Sequence, residues 1–272
     1  MTNFDINDLA TFTSAYTDNA PQGDGLARIH WHNGDPGQRT PGAFFLTRRN
    51  AENNGVTVAG SPWREIAKTF RSGTSEDGYE ARALKLAVLG VRQADVVIDA
   101  EGMMTYVGRT PRGAARPAGW SLYVEILCMA QGLDQPVVWA SKRIKTSMAM
   151  TTMLRAYRLE LLDQVRKAKG NSSIPSWAFW LPIRGEIDAK RQPVYEKTKG
   201  APVTPPKLIL PDGDALTMAR ALYVGKQLLE VGEDLRREYD NWLTQTPADA
   251  APAAAPSHNT PQPIGDDLDN AF

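Results

Sequence analysis

Trp120-Ser121-Leu122-Tyr123-Val124-Glu125-Ile126 sets Trp120, Leu122, Val124 and Ile126 on one face of an extended chain and Ser121, Tyr123 and Glu125 on the other. That alternation predicts a half-buried strand over 120–129, and 136–141 reads as the next. Working back toward the N-terminus, β-type runs separated by Gly, Pro and Asn occur at 26–31, 42–47, 55–59, 79–91, 95–99 and 103–107. Working forward, Met150, Met153, Leu154, Tyr157, Leu161 and Val165 recur at helical spacing behind a Thr146 or Ser147 cap. Gly170 stops them, with Arg166, Lys167 and Lys169 in the last turn. Alternation returns over 175–184, with Trp177, Phe179, Leu181 and Ile183 against Ala178, Trp180, Pro182 and Arg184, and short extended pieces follow at 193–197 and 207–210. A second helix is predicted over about 214–243, capped by Asp212 or Asp214. Strands, one helix, more strands and a long terminal helix argue against βαβ winding. They predict a mainly β chain with helices (α+β): an antiparallel barrel or curled sheet, in the rhythm of a small five-stranded barrel with a helix between its third and fourth strands.

The chain has 272 residues and 42% hydrophobic content, enough for a sizeable core in one folded body. Its 31 basic and 31 acidic residues cancel, but not evenly. Residues 1–20 carry Asp5, Asp8 and Asp18 and no Lys or Arg; from 247 onward Asp249, Asp266, Asp267 and Asp269 are likewise unaccompanied. All basic residues therefore fall in 21–246, which holds 24 acids and has a net charge of +7. A basic body between acidic ends keeps nucleic acid among the partners. The lone Cys128, in an apolar run, excludes an internal disulfide framework and fits a reducing compartment. With no basic-then-apolar leader and no apolar stretch of membrane-spanning length, the expectation is a soluble intracellular protein.

Two windows hold basic residues and no acids. One, 102–124, carries Arg109, Arg112 and Arg116 in a Gly/Pro-rich loop; the other, 135–159, carries Lys142, Arg143, Lys145, Arg155 and Arg158. Tyr106, Trp120 and Tyr123 punctuate the first, and Trp139 and Tyr157 the second. A groove that follows a phosphate backbone while rings stack on unpaired bases needs this composition. The strand at 177–184 adds Trp180 and Arg184 on one face. The expected contacts are thus Arg109, Arg112, Arg116, Lys142, Arg143, Lys145 and Arg184 to phosphates, with stacking from among Tyr106, Trp120, Tyr123, Trp139 and Trp180.

Signals for other chemistry are weaker. His30 and His32 bracket Trp31 on one strand face, but no third ligand of Cys or His type accompanies them, the only other histidine being His258 in the linker, so no metal site is expected. Asp95, Asp99 and Glu101 are the nearest thing to a metal-nuclease cluster and read as a solvated turn between strands. Neither a phosphate-binding G-x-x-x-x-G-K-[ST] loop nor a G-x-S-x-G nucleophile motif occurs. The reading is non-enzymatic, with no cofactor.

The last seven residues, Asp266-Asp267-Leu268-Asp269-Asn270-Ala271-Phe272, follow a Pro/Ala-rich run from Thr246 to Pro263 that has almost nothing to bury and is expected to be disordered. The organisation expected is an acidic segment at 1–20, a binding domain at 21–245, a linker at 246–263 and an acidic docking tip at 264–272. Within that tip Asp266, Asp267, Asp269 and Phe272 would be read by basic pockets on partners. A flexible tail of 26 residues spans about 25–30 Å, enough to fold back over the basic face and compete with a nucleic acid.

On this tail, together with the uneven charge and the strand-helix order, the chain resembles the single-stranded DNA-binding proteins of bacteria and their phages, most of all the phage replication type. The resemblance implies an elaborated OB barrel at 21–245 that coats and protects single-stranded DNA. It implies a tail that recruits proteins of DNA replication, recombination and repair, and a cytoplasmic setting in a bacterial cell for a protein of phage or mobile-element origin. A homo-oligomer is compatible with it. A strand-annealing recombination protein, a metal-dependent nuclease and an adaptor for an acidic protein are the alternatives.

Overall fold

The computed structural model describes residues 25–69, 75–99, 104–111, 114–141, 144–170, 173–196 and 202–244. Ten strands form one curled, open sheet. They are β1 (Ala27–His32), β2 (Ala43–Thr47), β3 (Arg64–Thr69), β4 (Ser75–Ala81), β5 (Ala83–Ile98), β6 (Met104–Gly108), β7 (Trp120–Ala130), β8 (Pro136–Ala140), β9 (Leu181–Gly185) and β10 (Pro206–Leu208). The hydrogen-bonded order is β10-β9-β5-β7-β8-β1-β2-β4-β3, with β6 joined to β5 off that path. The result is a half-barrel with a few helices.

The sheet is not wholly antiparallel, as the strand count alone would suggest. β1 runs parallel to β8, with Arg28 opposite Val138, the chain having built the six strands β2 to β7 before it returns to the other side of β1. The helix also enters later than expected, after β8 rather than after a third strand. β5 joins into one 16-residue strand the pieces read separately as 79–91 and 95–99, and a bulge between Val88 and Gly90 resets its register against β7. Residues 55–59 form only an isolated bridge, Val58 to Leu133.

Both faces of the central strands are covered. The inner face gathers Ile29, Phe44, Leu46, Leu84, Leu86, Val124, Ile126 and Trp139 around one helical segment: α2 (Ile144–Ala156), a π-helical turn Tyr157–Leu162 and α3 (Asp163–Lys169). The short α1 (Arg48–Asn53) precedes it in the chain, capped by the Thr47 side chain, which accepts from the Asn50 amide. Met150, Met153, Tyr157, Leu161 and Val165 fill the curl as their spacing predicts, and Gly170, at φ 60°, closes the segment in the left-handed region. The expected terminal helix arrives in three pieces, α4 (Ala215–Leu222), α5 (Lys226–Glu238) and α6 (Asp240–Thr244), with Asp214 capping the first. Gly225 at φ 91° breaks the run, and Tyr223 leaves the helix to bridge Phe179.

α5 and α6 cover the outer face, packing Leu228, Leu235, Tyr239, Trp242 and Leu243 on Ala87, Leu89, Val96, Leu127 and Val138. That cover corrects the half-buried reading of β7: every residue from Tyr123 to Ala130 is buried. Glu125, on the supposed solvent face, is fully enclosed. It is held by Arg28 Nη2 at 3.5 Å and by Arg92 Nε, while the Tyr123 hydroxyl donates to its Oε1 at 3.1 Å. The Arg92 guanidinium lies 3.8 Å from the Trp242 ring centroid. Among the described residues no helix is long and apolar enough to cross a membrane. The segment 1–20, the linker 246–263 and the tip 264–272 lie outside the described residues.

Candidate nucleic-acid interface

Beyond the reach of α2, the inner face of β5 and β7 ends in Gln93, Asp95 and Val97 on one strand and Leu122 and Trp120 on the other, with Asp95 opposite Leu122 and Val97 opposite Trp120. β6 pairs with the same end of β5, Gly108 opposite Asp95. Between β6 and β7 the described residues 109–111 and 114–119 carry Arg109 and Arg116 in loop conformation, preceded by Gly108 at φ 123° and ending at Gly119 at φ 82°. Those two φ values suit glycine and let a short loop double back over the strand ends.

Asp95 organises the loop. Its carboxylate is 1% exposed and accepts from the Thr110 amide at 2.5 Å, the Thr110 hydroxyl at 2.5 Å and Arg116 Nε. Burial alone would raise the Asp95 carboxyl, but the hydrogen bonds from Thr110 and Arg116 outweigh it and hold the group below the usual carboxylate range. The loop and strands enclose an open cleft of about 300 Å³ lined by Gln93, Asp95, Arg109, Thr110, Arg116 and Leu122. Arg109 is exposed and makes no hydrogen bond or ion pair among the described residues.

A serine relay fixes the second wall. The Val124 amide donates to Ser141 Oγ at 2.9 Å, Ser141 and Ser147 share a hydrogen bond at 2.6 Å, and Ser147 Oγ donates to the Leu122 carbonyl at 2.6 Å. The first turn of α2 is thereby pinned to β7 beside Leu122, leaving Lys145 exposed there and Met148 59% exposed. The two acid-free windows, separated by residues 125–134, both reach this part of the sheet: Arg109 and Arg116 line the cleft, Trp120 lies two residues before the lining Leu122, and Lys145 lies two residues before Ser147, which bonds the Leu122 carbonyl. Trp120 is half-buried on the face of Leu122.

Other expected contacts are placed elsewhere. Trp139 is a core residue, fully buried and edge-on to Phe44 at 5.1 Å, because β8 is a central strand covered on both sides. Tyr123 is 3% exposed on the outer face, and Tyr106 packs edge-on against it at 5.6 Å; burial pushes both phenols up. Trp139 and Tyr123 thus offer no open face to a base, while Tyr106 is half-buried. Trp180 is half-buried against both cores, and Arg184 sits opposite Ala83 and Lys207, at the other end of β5 from Asp95. Arg112, Lys142 and Arg143, and the tail residues Asp266, Asp267, Asp269 and Phe272, lie outside the described residues.

Asp95 also leaves the carboxylate cluster in which it was grouped with Asp99 and Glu101. Asp99 is exposed, Glu101 is outside the described residues, and among the described residues no three His, Cys, Asp or Glu side chains converge. His30 and His32 do share a strand face, with Arg28, and His32 meets Phe45 edge-on at 5.2 Å. Sequence reasoning missed Thr110 and the Arg28–Glu125–Arg92 cluster. The signal for the latter was present: a charged residue between Ala27 and Ile29 in an apolar strand. Comparison with known proteins finds no match: no family model, no curated protein and no solved structure matches the chain.

Proposed function

We propose that the protein binds single-stranded DNA without catalysing a reaction, coating and protecting it during replication or recombination, and that its acidic tail recruits partner proteins. On this reading the half-barrel is an elaborated OB-type body. The observation that carries the proposal is that Arg109 and Arg116 line one cleft whose carboxylate, Asp95, is taken up internally, with Trp120 exposed in part on the adjoining end of β7 and Lys145 exposed near the start of α2. Cations for the backbone and one ring for a base are what sequence-tolerant single-strand binding requires. The OB relationship and the tail's role rest on the sequence resemblance. Engagement of Asp95 by Thr110 and Arg116 weighs against using it as a metal ligand in a nuclease.

The test is a salt series of fluorescence anisotropy titrations with a labelled homopolymer strand, a duplex as control. Wild type is expected to prefer the single strand, with log affinity falling against log salt by about 0.7 per phosphate contact. Trp120→Ala should lose about 1–3 kcal/mol of binding, the contribution of one stacked base. Salt-insensitive binding or equal affinity for duplex would refute the proposal.

A further inference from the structure

The geometry points to Asp95 as a positioning residue that presets a phosphodiester-binding fork made by Arg116 and Arg109; the inference rests on the single-strand-binding reading above. A carboxylate this deeply buried is costly unless its charge is met by hydrogen bonds and a counter-ion. Asp95 accepts both from Thr110, near the start of the loop, and from Arg116, near its end. One buried group thus closes a loop whose ends are free to turn at Gly108 and Gly119.

The consequence lies in what Arg116 has left to offer. Its Nε is committed to Asp95, its side chain is 33% exposed, and its two Nη groups make no hydrogen bond among the described residues. Arg109 lines the same cleft with its guanidinium unengaged. Among the described residues the cleft therefore presents two guanidinium groups against one carboxylate, a net charge of +1 matched to one backbone phosphodiester. Arg116 is held in place before the ligand arrives, so little side-chain entropy is lost on binding. Trp120, on the adjoining strand end, stands where the base beside that phosphate would stack.

The sign of one substitution separates positioning from simple electrostatics. Asp95→Asn removes a negative charge from a phosphate site, so a field effect alone would tighten binding. Positioning requires the opposite, because the Asn amide cannot accept from Arg116 Nε on the side where its nitrogen lies. The experiment measures affinity and salt slope for a labelled oligothymidylate with wild type, Asp95→Asn, Thr110→Val, Arg116→Ala and the Asp95→Asn/Arg116→Ala pair, each checked for folding by thermal melting. Asp95→Asn is expected to bind about tenfold more weakly, the equivalent of one charge-assisted hydrogen bond, and to flatten the slope by about 0.7, one phosphate's share.

Adding Arg116→Ala to Asp95→Asn should then change little, whereas alone it should match the Asp95→Asn loss. Thr110→Val, which keeps every charge, should weaken binding in the same direction by a smaller factor, and it carries the test if Asp95→Asn does not fold. Equal or tighter binding by Asp95→Asn, or an unchanged Thr110→Val, overturns the positioning role while leaving single-strand binding intact. Failure of wild type to bind the oligonucleotide overturns both.

Discussion

Replacing Glu125 by Gln removes the one carboxylate that, among the described residues, pairs with both Arg28 and Arg92. Glu125 is fully enclosed, with Arg28 at 5% and Arg92 at 3% side-chain exposure on either side of it, so Glu125→Gln raises the charge of these three described residues from +1 to +2. Breaking a buried ion pair by deleting one partner costs about 3–5 kcal/mol. In a folded body of this size each kcal/mol lowers the melting temperature by about 2–4 °C, so the fall should be roughly 6–20 °C. Arg92→Met is the informative control. It leaves Arg28 and Glu125 as a neutral pair, and its cost combines the guanidinium over the indole, about 2 kcal/mol in a desolvated site, with the hydrogen bonds to Glu125 and the Trp242 carbonyl, and no charge is left without a counter-charge in the Arg28–Glu125 pair. Urea denaturation followed by circular dichroism measures both, with an unchanged m-value as the sign that the same two states are compared. If Glu125→Gln costs under about 1 kcal/mol, or less than Arg92→Met, the cluster is not held by its central carboxylate and the reasoning fails.

Gly90→Ala should destabilise by about 1–3 kcal/mol through overpacking, since a Cβ there would lie 2.0 Å from Leu243 Cδ2; Leu243→Ala in the same chain should recover part of the loss, as read by denaturant midpoint. The stability difference between wild type and Asp95→Asn should also depend on pH with a definite sign. A carboxylate whose folded pKa is depressed stabilises above its unfolded pKa, about 3.9, and loses that contribution as pH falls through the lower folded value. The gap should be constant from pH 7 to about 5 and close below about 4; a gap that widens in acid would contradict the Thr110 and Arg116 hydrogen bonds.

Much of the fold was legible because period and punctuation agreed. Met150 to Val165 at helical spacing and Gly170 as stop define a helical segment that the structure reproduces, and Asp214 caps the helix it was expected to cap. β3 was not legible, since Arg-Glu-Ile-Ala-Lys-Thr has too little apolar character for an alternation argument and lies at a sheet edge where burial asks for none. Nor did periodicity reveal that the face of Tyr123 and Glu125 is covered, because α5 and α6 come from a hundred residues further on. The site divides along the same line. Arg109, Arg116, Trp120 and Lys145 were singled out from charge and composition, which are local, and the structure leaves each at least partly exposed. Trp139 and Tyr123 were mistaken for exposed rings because exposure depends on which strand is central, and Thr110 was missed because its role exists only across β5 and β6.

The half-barrel has two free ends, and both resist strand addition. At one, β3 turns outward with Arg64, Glu65, Ala67 and Thr69 exposed and with charged residues at three of its six positions. At the other, β10 is three residues long and begins at Pro206, which has no amide hydrogen to donate. Charge on one edge and brevity with proline on the other are the ordinary protections against aggregation through unpaired backbone. Pairing between copies of the chain through either end of that strand path is therefore disfavoured.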